Sequence, residues 1–191
     1  MNLALALLVT IAFALPVAAQ QGLHNDTKRF TDPAAMTEAD WTDPAEMARS
    51  WAAAIIRMPA GKGRSKSASL ADLAQDTGRK YPTVIYLHGC SGIWRGTYDR
   101  VKFLADNGFL VIAPASFARA KYPQSCDTAR HRGSMYRGTL RIRQADAGYA
   151  IERARTLPVV DASRMVLMGL SEGAITTATF RASNERQKVS A

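Results

Sequence analysis

Three short runs in this chain hold almost nothing polar: TVIYLHG (83–89), GFLVIAPASF (108–117) and MVLMGL (165–170). A strand with one wet face alternates apolar and polar residues, so runs without alternation fit strands buried on both faces, the condition of a parallel sheet covered by helices. Between the first two, TYDRVKFLADN carries Val101, Leu104 and Ala105 at helical spacing and stops before Gly108. RGTLRIRQADAGYAIERARTLP presents Leu140, Ala147, Ile151 and Ala154 at helical intervals, ends before Pro158, and leads through VVDASR into the third run. The residues after Ser171, EGAITTATFRAS, suit another helix. Strand, helix, strand, long loop and helix, strand, helix predicts an α/β chain: a three-layer sandwich around a mainly parallel sheet with right-handed crossovers. Sites in such sheets lie beyond the carboxyl ends of the strands. The loops at that edge are His88 to Arg95, Ala115 to Gly138, and Ser171 itself.

Upstream, TDPAAM at Thr31 and TDPAEM at Thr42 repeat one pattern, each a helix start with Thr or Asp as cap and Pro where a missing N–H loses nothing. WAAAIIRMPAG (51–61) reads as a strand broken by Pro59 and Gly61. KGRSKSASLADLAQDTGRK reads as surface loop with one helical turn around Leu70 to Ala74.

A chain of 191 residues, 47% hydrophobic and 21% charged, fits one globular domain. Its opening, MNLALALLVTIAFALPVAAQQG, is apolar from Leu3 to Leu15 and ends in Val17-Ala18-Ala19, which suits a signal peptidase. The expected organisation is a signal peptide at 1–19, an N-terminal helical and polar segment at 20–50, and the main domain at 51–191. Export to a periplasmic or extracellular space follows, with no stable membrane insertion after signal removal. An uncleaved anchor is the alternative, against which the run is short of the ~20 residues of a bilayer span.

The 25 Lys and Arg outnumber 16 Asp and Glu, a formal +9. Such a balance can steer anions towards the protein. Export and the lack of interleaved aromatic and basic residues speak against nucleic acid as partner. Cys90 and Cys126 sit in no C-x-x-C or His-spaced zinc pattern, so no metal is expected. In an oxidising compartment the two form a disulfide or remain two buried thiols. Closing that loop would stabilise by about 4 kcal/mol in the chain-entropy model.

MVLMGLSEGA places a Gly-x-Ser-x-Gly pentapeptide between a buried strand and a helix. A sharp turn there holds a serine in a strained conformation with its oxygen pointing out of the sheet, which makes Ser171 the candidate nucleophile. Gly169 and Gly173 are its elbow glycines, because side chains there would collide. The alternative is a serine capping the following helix. A developing oxyanion needs two backbone N–H donors already in place. Glu172, after the nucleophile, supplies one, and the loop HGCSGIW (88–94) supplies the other, with Cys90 the fitting residue. His88 reads as a structural histidine, since its loop supplies N–H groups.

Taken together, VIYLHGCSGIW, LADNGFLVIAPASFAR and RQADAGYAIERARTLPVVDASRMVLMGLSEGA resemble the α/β-hydrolase superfamily, and most closely its dienelactone-hydrolase-related branch. The resemblance covers roughly Ile55 to Phe180. It implies the α/β-hydrolase fold and hydrolysis of an ester, lactone or amide through an acyl-serine, with no cofactor. It carries over Ser171, its elbow glycines and the Cys90 and Glu172 N–H groups. Dienelactone hydrolases themselves use a cysteine nucleophile, so serine here puts the dienelactone substrate in question.

The superfamily order is nucleophile, acid, histidine, yet the twenty residues after Ser171 contain no histidine. His24 lies in the polar N-terminal stretch and His131 in the long loop AKYPQSCDTARHRGSMYRG. The expectation is therefore a fold incomplete after the elbow helix, lacking its acid and base and nearly inactive alone. The further strands that the resemblance implies would pair beside Met165 to Leu170, so that apolar strand is expected at a sheet edge. The alternative is a non-catalytic pseudohydrolase remnant or binding module. The span Arg119 to Arg143 holds Arg119, Lys121, Arg130, Arg132, Arg137, Arg141 and Arg143 against Asp127 and no Glu. It reads as a solvated basic face, or as a selector for a small-molecule substrate carrying a carboxylate.

Overall fold

Two Thr-Asp-Pro-Ala repeats, at Thr31 and Thr42, precede the first elements, and in both the aspartate is the cap. Asp32 accepts from Ala34 N ahead of a single 3₁₀ turn, and Asp43 accepts from Ala45 N ahead of a full helix. The computed structural model describes residues 22–190, so the signal-peptide expectation for 1–19 lies outside the described residues. In chain order the elements are α1 (Glu38–Trp41), α2 (Pro44–Ala52), β1 (Ile55–Pro59), β2 (Ser65–Ser67), α3 (Leu70–Gln75), β3 (Tyr81–Leu87), α4 (Arg95–Asp106), β4 (Leu110–Ala113), α5 (Thr139–Ala154), β5 (Val160–Gly169) and α6 (Glu172–Thr179). No described helix is long and apolar enough to cross a membrane.

Two segments differ from expectation. The run from Trp51 is not strand at its start: Trp51 and Ala52 complete α2, and Trp51 is buried against the core. The stretch read as surface loop contains β2, which pairs antiparallel with β1 through Arg57↔Ser67 and Pro59↔Ser65. Its three polar residues carry no apolar signature, and the pairing is secured by the Arg57 guanidinium reaching Ser65 and Ser67.

The strands form one mixed sheet in the order β2-β1-β4-β3-β5. β3 runs parallel to β4 and to β5, while β1 is antiparallel to β2 and β4. The parallel half is the part whose strands read as uniformly apolar. Alternate residues of β3 serve the two faces: Val84 and Tyr86 pack with Val101 and Ala105 of α4 and Val111 of β4, while Ile85 and Leu87 pack with Ala147, Ala150 and Ile151 of α5. Helices on both faces give the three layers. Each fully buried aliphatic side chain contributes about 1.5–3 kcal/mol relative to exposure.

The path from β3 through α4 leads to β4 on one side, and the path through α5 returns to β5 on the other. Strand order reverses at β3, and the segments leaving β3 and β5 go to opposite faces of the sheet. A crevice at the carboxyl ends of these two neighbours is the place where a sheet of this kind holds a ligand.

Among the described strands β5 lies at the edge. Helix α4 packs over β1, β4 and β2 but leaves β5 uncovered on its face, so Val166 and Met168 stay 38% and 42% exposed. Ser190 N donates to Met165 O at 2.8 Å, bringing the last described residue against this edge.

Candidate active site

Strand β5 ends at Gly169 and helix α6 begins at Glu172, so two residues turn the chain. Ser171 makes the turn at φ 53° and ψ −119°, a conformation that costs a residue with a β-carbon of order 1–3 kcal/mol and persists only where its surroundings impose it. Two glycines let the backbone close in. A β-carbon on Gly169 would overlap the Gly173 carbonyl and stand 2.8 Å from Ala174 N. One on Gly173 would overlap the Leu87 oxygen and stand 2.7 Å from that of His88. Leu170 N donates to Leu87 O at 3.1 Å, tying the turn to β3. Ser171 is exposed, and its hydroxyl makes no cap bond to α6, which removes the helix-cap alternative.

The loop after β3 stands opposite. Gly89 is so close that a β-carbon there would be 3.5 Å from Ser171 Cβ. The Gly89 carbonyl faces His88 Nδ1 at 2.7 Å and accepts from Gly92 N at 3.0 Å. A trans peptide points its carbonyl and the following N–H in opposite directions, so the Cys90 N–H faces away from the buried His88 ring. Among the described residues the Cys90 N–H donates to no hydrogen bond. The Glu172 N–H, at the first position of α6, has no partner within the helix. Two uncommitted donors thus come from the serine's own turn and from the loop packed against it. Gly92 adopts φ 78° beneath the chain, where a β-carbon would stand 2.6 Å from the Phe117 ring.

Cys90 and Cys126 are joined by a disulfide, with Cα atoms 5.8 Å apart. The bond ties the loop after β3 to the long loop between β4 and α5.

None of the three histidines is hydrogen-bonded to Ser171. His88 is 1% exposed; its Nε2 accepts from Ser116 N at 3.2 Å, leaving Nδ1 to carry the proton towards the Gly89 carbonyl. Burial holds its pKa well below the ordinary value, the adjacent Arg143 charge lowers it further, and the Gly89 carbonyl opposes both. With both ring nitrogens engaged, it has no valence left for the serine. His131 sits on the exposed tip of the long loop at φ 51°. His24 is not in an inert tail: it forms an antiparallel bridge with Gly92, flanked by Asn25 N→Ser91 O at 2.8 Å and Ile93 N→Leu23 O at 2.7 Å.

The reading of Arg119 to Arg143 as one solvated basic face is corrected by burial. Arg119 is fully buried, donating through Nε and Nη2 to Asp146 Oδ1 at 3.0 and 2.7 Å and through Nη1 to Asp40 O. Arg143 is equally buried, with Nη1 3.0 Å from His88 Nε2 and Nη2 donating to the His88 carbonyl. Lys121 pairs with Asp40 at 2.7 Å, and that bond is the largest cause of an Asp40 pKa of about 2. Arg130 pairs with Asp127. Arg132, Arg137 and Arg141 remain exposed without an ion pair among the described residues.

Sequence reasoning missed the N-terminal strand-like strap at Leu23–Asn25 and the Arg143–His88 contact. The strap is held by backbone bonds and by one buried side chain, Leu23, which alone makes no pattern in the sequence. For Arg143 a signal existed, since it stands four and eight residues before Ala147 and Ile151 on the apolar face of its helix. A cleft of about 390 Å³ lined by Trp41, Met47, Arg141, Tyr149, Phe180 and Gln187 includes none of these site residues. Residues 70–191, more than half of the chain, match the model of the dienelactone hydrolase family. No curated protein is significantly similar to the chain.

Proposed function

The chain belongs to the dienelactone hydrolase family, within the α/β-hydrolase superfamily, and on that premise we propose that it is a serine hydrolase whose nucleophile is the Ser171 hydroxyl. The carrying observation is the serine's backbone: strained, exposed, free of any helix-capping duty, and packed against Gly89 at the point where strand order reverses. In the proposed reaction Ser171 Oγ attacks the carbonyl carbon of an ester, lactone or amide. The new oxyanion accepts hydrogen bonds from the Cys90 and Glu172 N–H groups, and collapse expels the alcohol or amine, which departs carrying the proton that the serine hydroxyl gives up. Water then releases the acid from the acyl-serine.

A proton acceptor for Ser171 is not among the three histidines, and a serine triad without its base loses about a million-fold in turnover. This chain by itself is therefore expected to react slowly. The loss is testable because Ser171 is open to solvent: imidazole added as an external base should accelerate its phosphonylation by an alkyl fluorophosphonate, with fluoride leaving and the hydroxyl proton taken by the imidazole. Intact-mass analysis is expected to show one adduct on Ser171 whose rate rises with imidazole and none on Ser171→Ala. Equal labelling of the two proteins would refute the nucleophile, and no labelling at any imidazole concentration would favour a binding role.

We also propose export to a periplasmic or extracellular space. The apolar opening at 1–19 supports this, as does the Cys90–Cys126 bond, which a reducing cytosol would not maintain. Sequencing of the mature chain should begin at Gln20; a start at Met1 would overturn it. The substrate proposed is a small molecule. A carboxylate-bearing ester is supported by the unpaired Arg132 and Arg137 on the loop tied to Cys90.

A further inference from the structure

The loop that carries Cys90 is gripped from several directions, and each grip acts on a different residue. Upstream, His88 is fixed by Ser116 N and by Arg143. Downstream, Ser91 and Ile93 are bonded to Asn25 and Leu23 of the N-terminal strap. Cys90 lies between these anchors with its N–H uncommitted, and its side chain is the one covalent tether, running to buried Cys126. Cys126 is itself held, because the Gln124 side-chain amide donates to its carbonyl at 2.9 Å and Ser125 O accepts from Met135 N at 3.0 Å.

We propose that Cys126 is a positioning residue for catalysis: through the disulfide it holds the Cys90 N–H at the place where the oxyanion forms. This rests on the Ser171 reading. A preorganised donor stabilises charge without reorganising during the reaction, and a donor free to swing does so less well. Opening the bond leaves both flanking anchors in place, so the sheet and the serine turn persist while the donor loses its fixed direction. The effect falls on the chemical step, since the ground-state ligand is not yet an oxyanion.

The test uses the folded full chain, with and without mild reduction by dithiothreitol. The dithiol closes to its own cyclic disulfide as Cys90 and Cys126 become thiols, and a thiol count in denaturant reads the opening. Alkyl fluorophosphonate inactivation is followed at fixed imidazole over a range of probe concentrations. The expected result is a fall of about tenfold in the maximal inactivation rate with the half-saturating probe concentration unchanged, less than the loss of a whole donor. Reoxidation restores the rate, and Cys126→Ser behaves as the reduced protein. Equal rates with two thiols counted overturn the positioning role and leave Ser171 as nucleophile. A change confined to half-saturation also overturns it. Failure of the oxidised chain to label above the Ser171→Ala background overturns the nucleophile assignment, and this inference falls with it.

Discussion

Gly173 and His88 approach so closely that a β-carbon on the glycine would stand 2.7 Å from the His88 carbonyl oxygen. The obstacle is backbone on both sides, with the Leu87 carbonyl overlapping the same space, so no flexible side chain can yield. Gly173→Ala is expected to lower the unfolding free energy by about 3 kcal/mol, the upper end for overpacking. Urea denaturation measures it. Gly133→Ala is the control, because nothing lies within 4 Å of that position; it should shift stability by less than about 0.5 kcal/mol.

Acid sensitivity should trace to His88. Its pKa in the folded protein lies well below the ordinary 6.5, chiefly through burial. The unfolded chain therefore takes up a proton near pH 6.5 that the folded chain refuses. Stability is full above that pH and declines as pH falls, by up to about 1.4 kcal/mol per pH unit, until the folded pKa is reached. Urea midpoints at pH 7 and pH 5 bracket a window in which Asp40 and Asp161, with pKa values near 2, remain ionised. His88→Gln should flatten the decline; an unchanged slope would assign it elsewhere.

Asp146 neutralises Arg119 in a site neither shares with water, the pair being 2% and 0% exposed. Asp146→Ala leaves a buried guanidinium without its counter-charge, a loss of about 3–5 kcal/mol. Arg119 also donates to the Asp40 and Trp41 carbonyls at the end of α1, so hydrogen exchange in residues 22–53 should quicken more than in β3. Uniform quickening would mean a global effect only.

What could be read from the sequence follows from where each signal resides. β3 and β4 were legible because burial on both faces removes alternation; β5 reads the same way but is buried on one face only, Met165 and Leu167 inward and Val166 and Met168 exposed, because no described element covers its other face. The serine turn was legible because glycine spacing encodes its tight backbone. β2 escaped because Ser65, Lys66 and Ser67 pair by backbone and by Arg57, with no apolar residue to mark them. Trp51 joined the wrong element because WAAAIIRMP is apolar across the end of α2 and the start of β1. Charge likewise says nothing of depth: Arg119 and Arg143 look like their exposed neighbours until Asp146 and His88 are brought beside them. The strap was hidden because its pairing with the loop after β3 is made by peptide groups, and a lone buried Leu23 in a polar stretch carries no periodicity.

The uncovered face of β5 should govern behaviour in solution. Val166 and Met168 lie beside Val84 and Tyr86 across the parallel pairing, and no helix among the described residues covers Val166 and Met168. Val166→Thr with Met168→Lys is expected to reduce concentration-dependent light scattering while altering stability by less than about 1 kcal/mol. Unaltered scattering would place the sticky surface elsewhere.

The exposed arginines offer a test of substrate charge. Arg132→Glu with Arg137→Glu should raise KM for an anionic ester by about fivefold, in keeping with weak exposed pairs, and leave neutral esters unaffected. Equal effects on both would remove the loop from recognition.

The two sides of the serine's surroundings are built from β3 and β5, strands that become neighbours only after α4, β4, the long loop and α5 have all been laid down between them. A chain still emerging from the ribosome, or one collapsed without that pairing, holds a serine with ordinary backbone freedom and no amide facing it. If Ser171 is the nucleophile proposed, its reactivity is latent until β5 pairs with β3, and the rate of acquiring it would report that pairing.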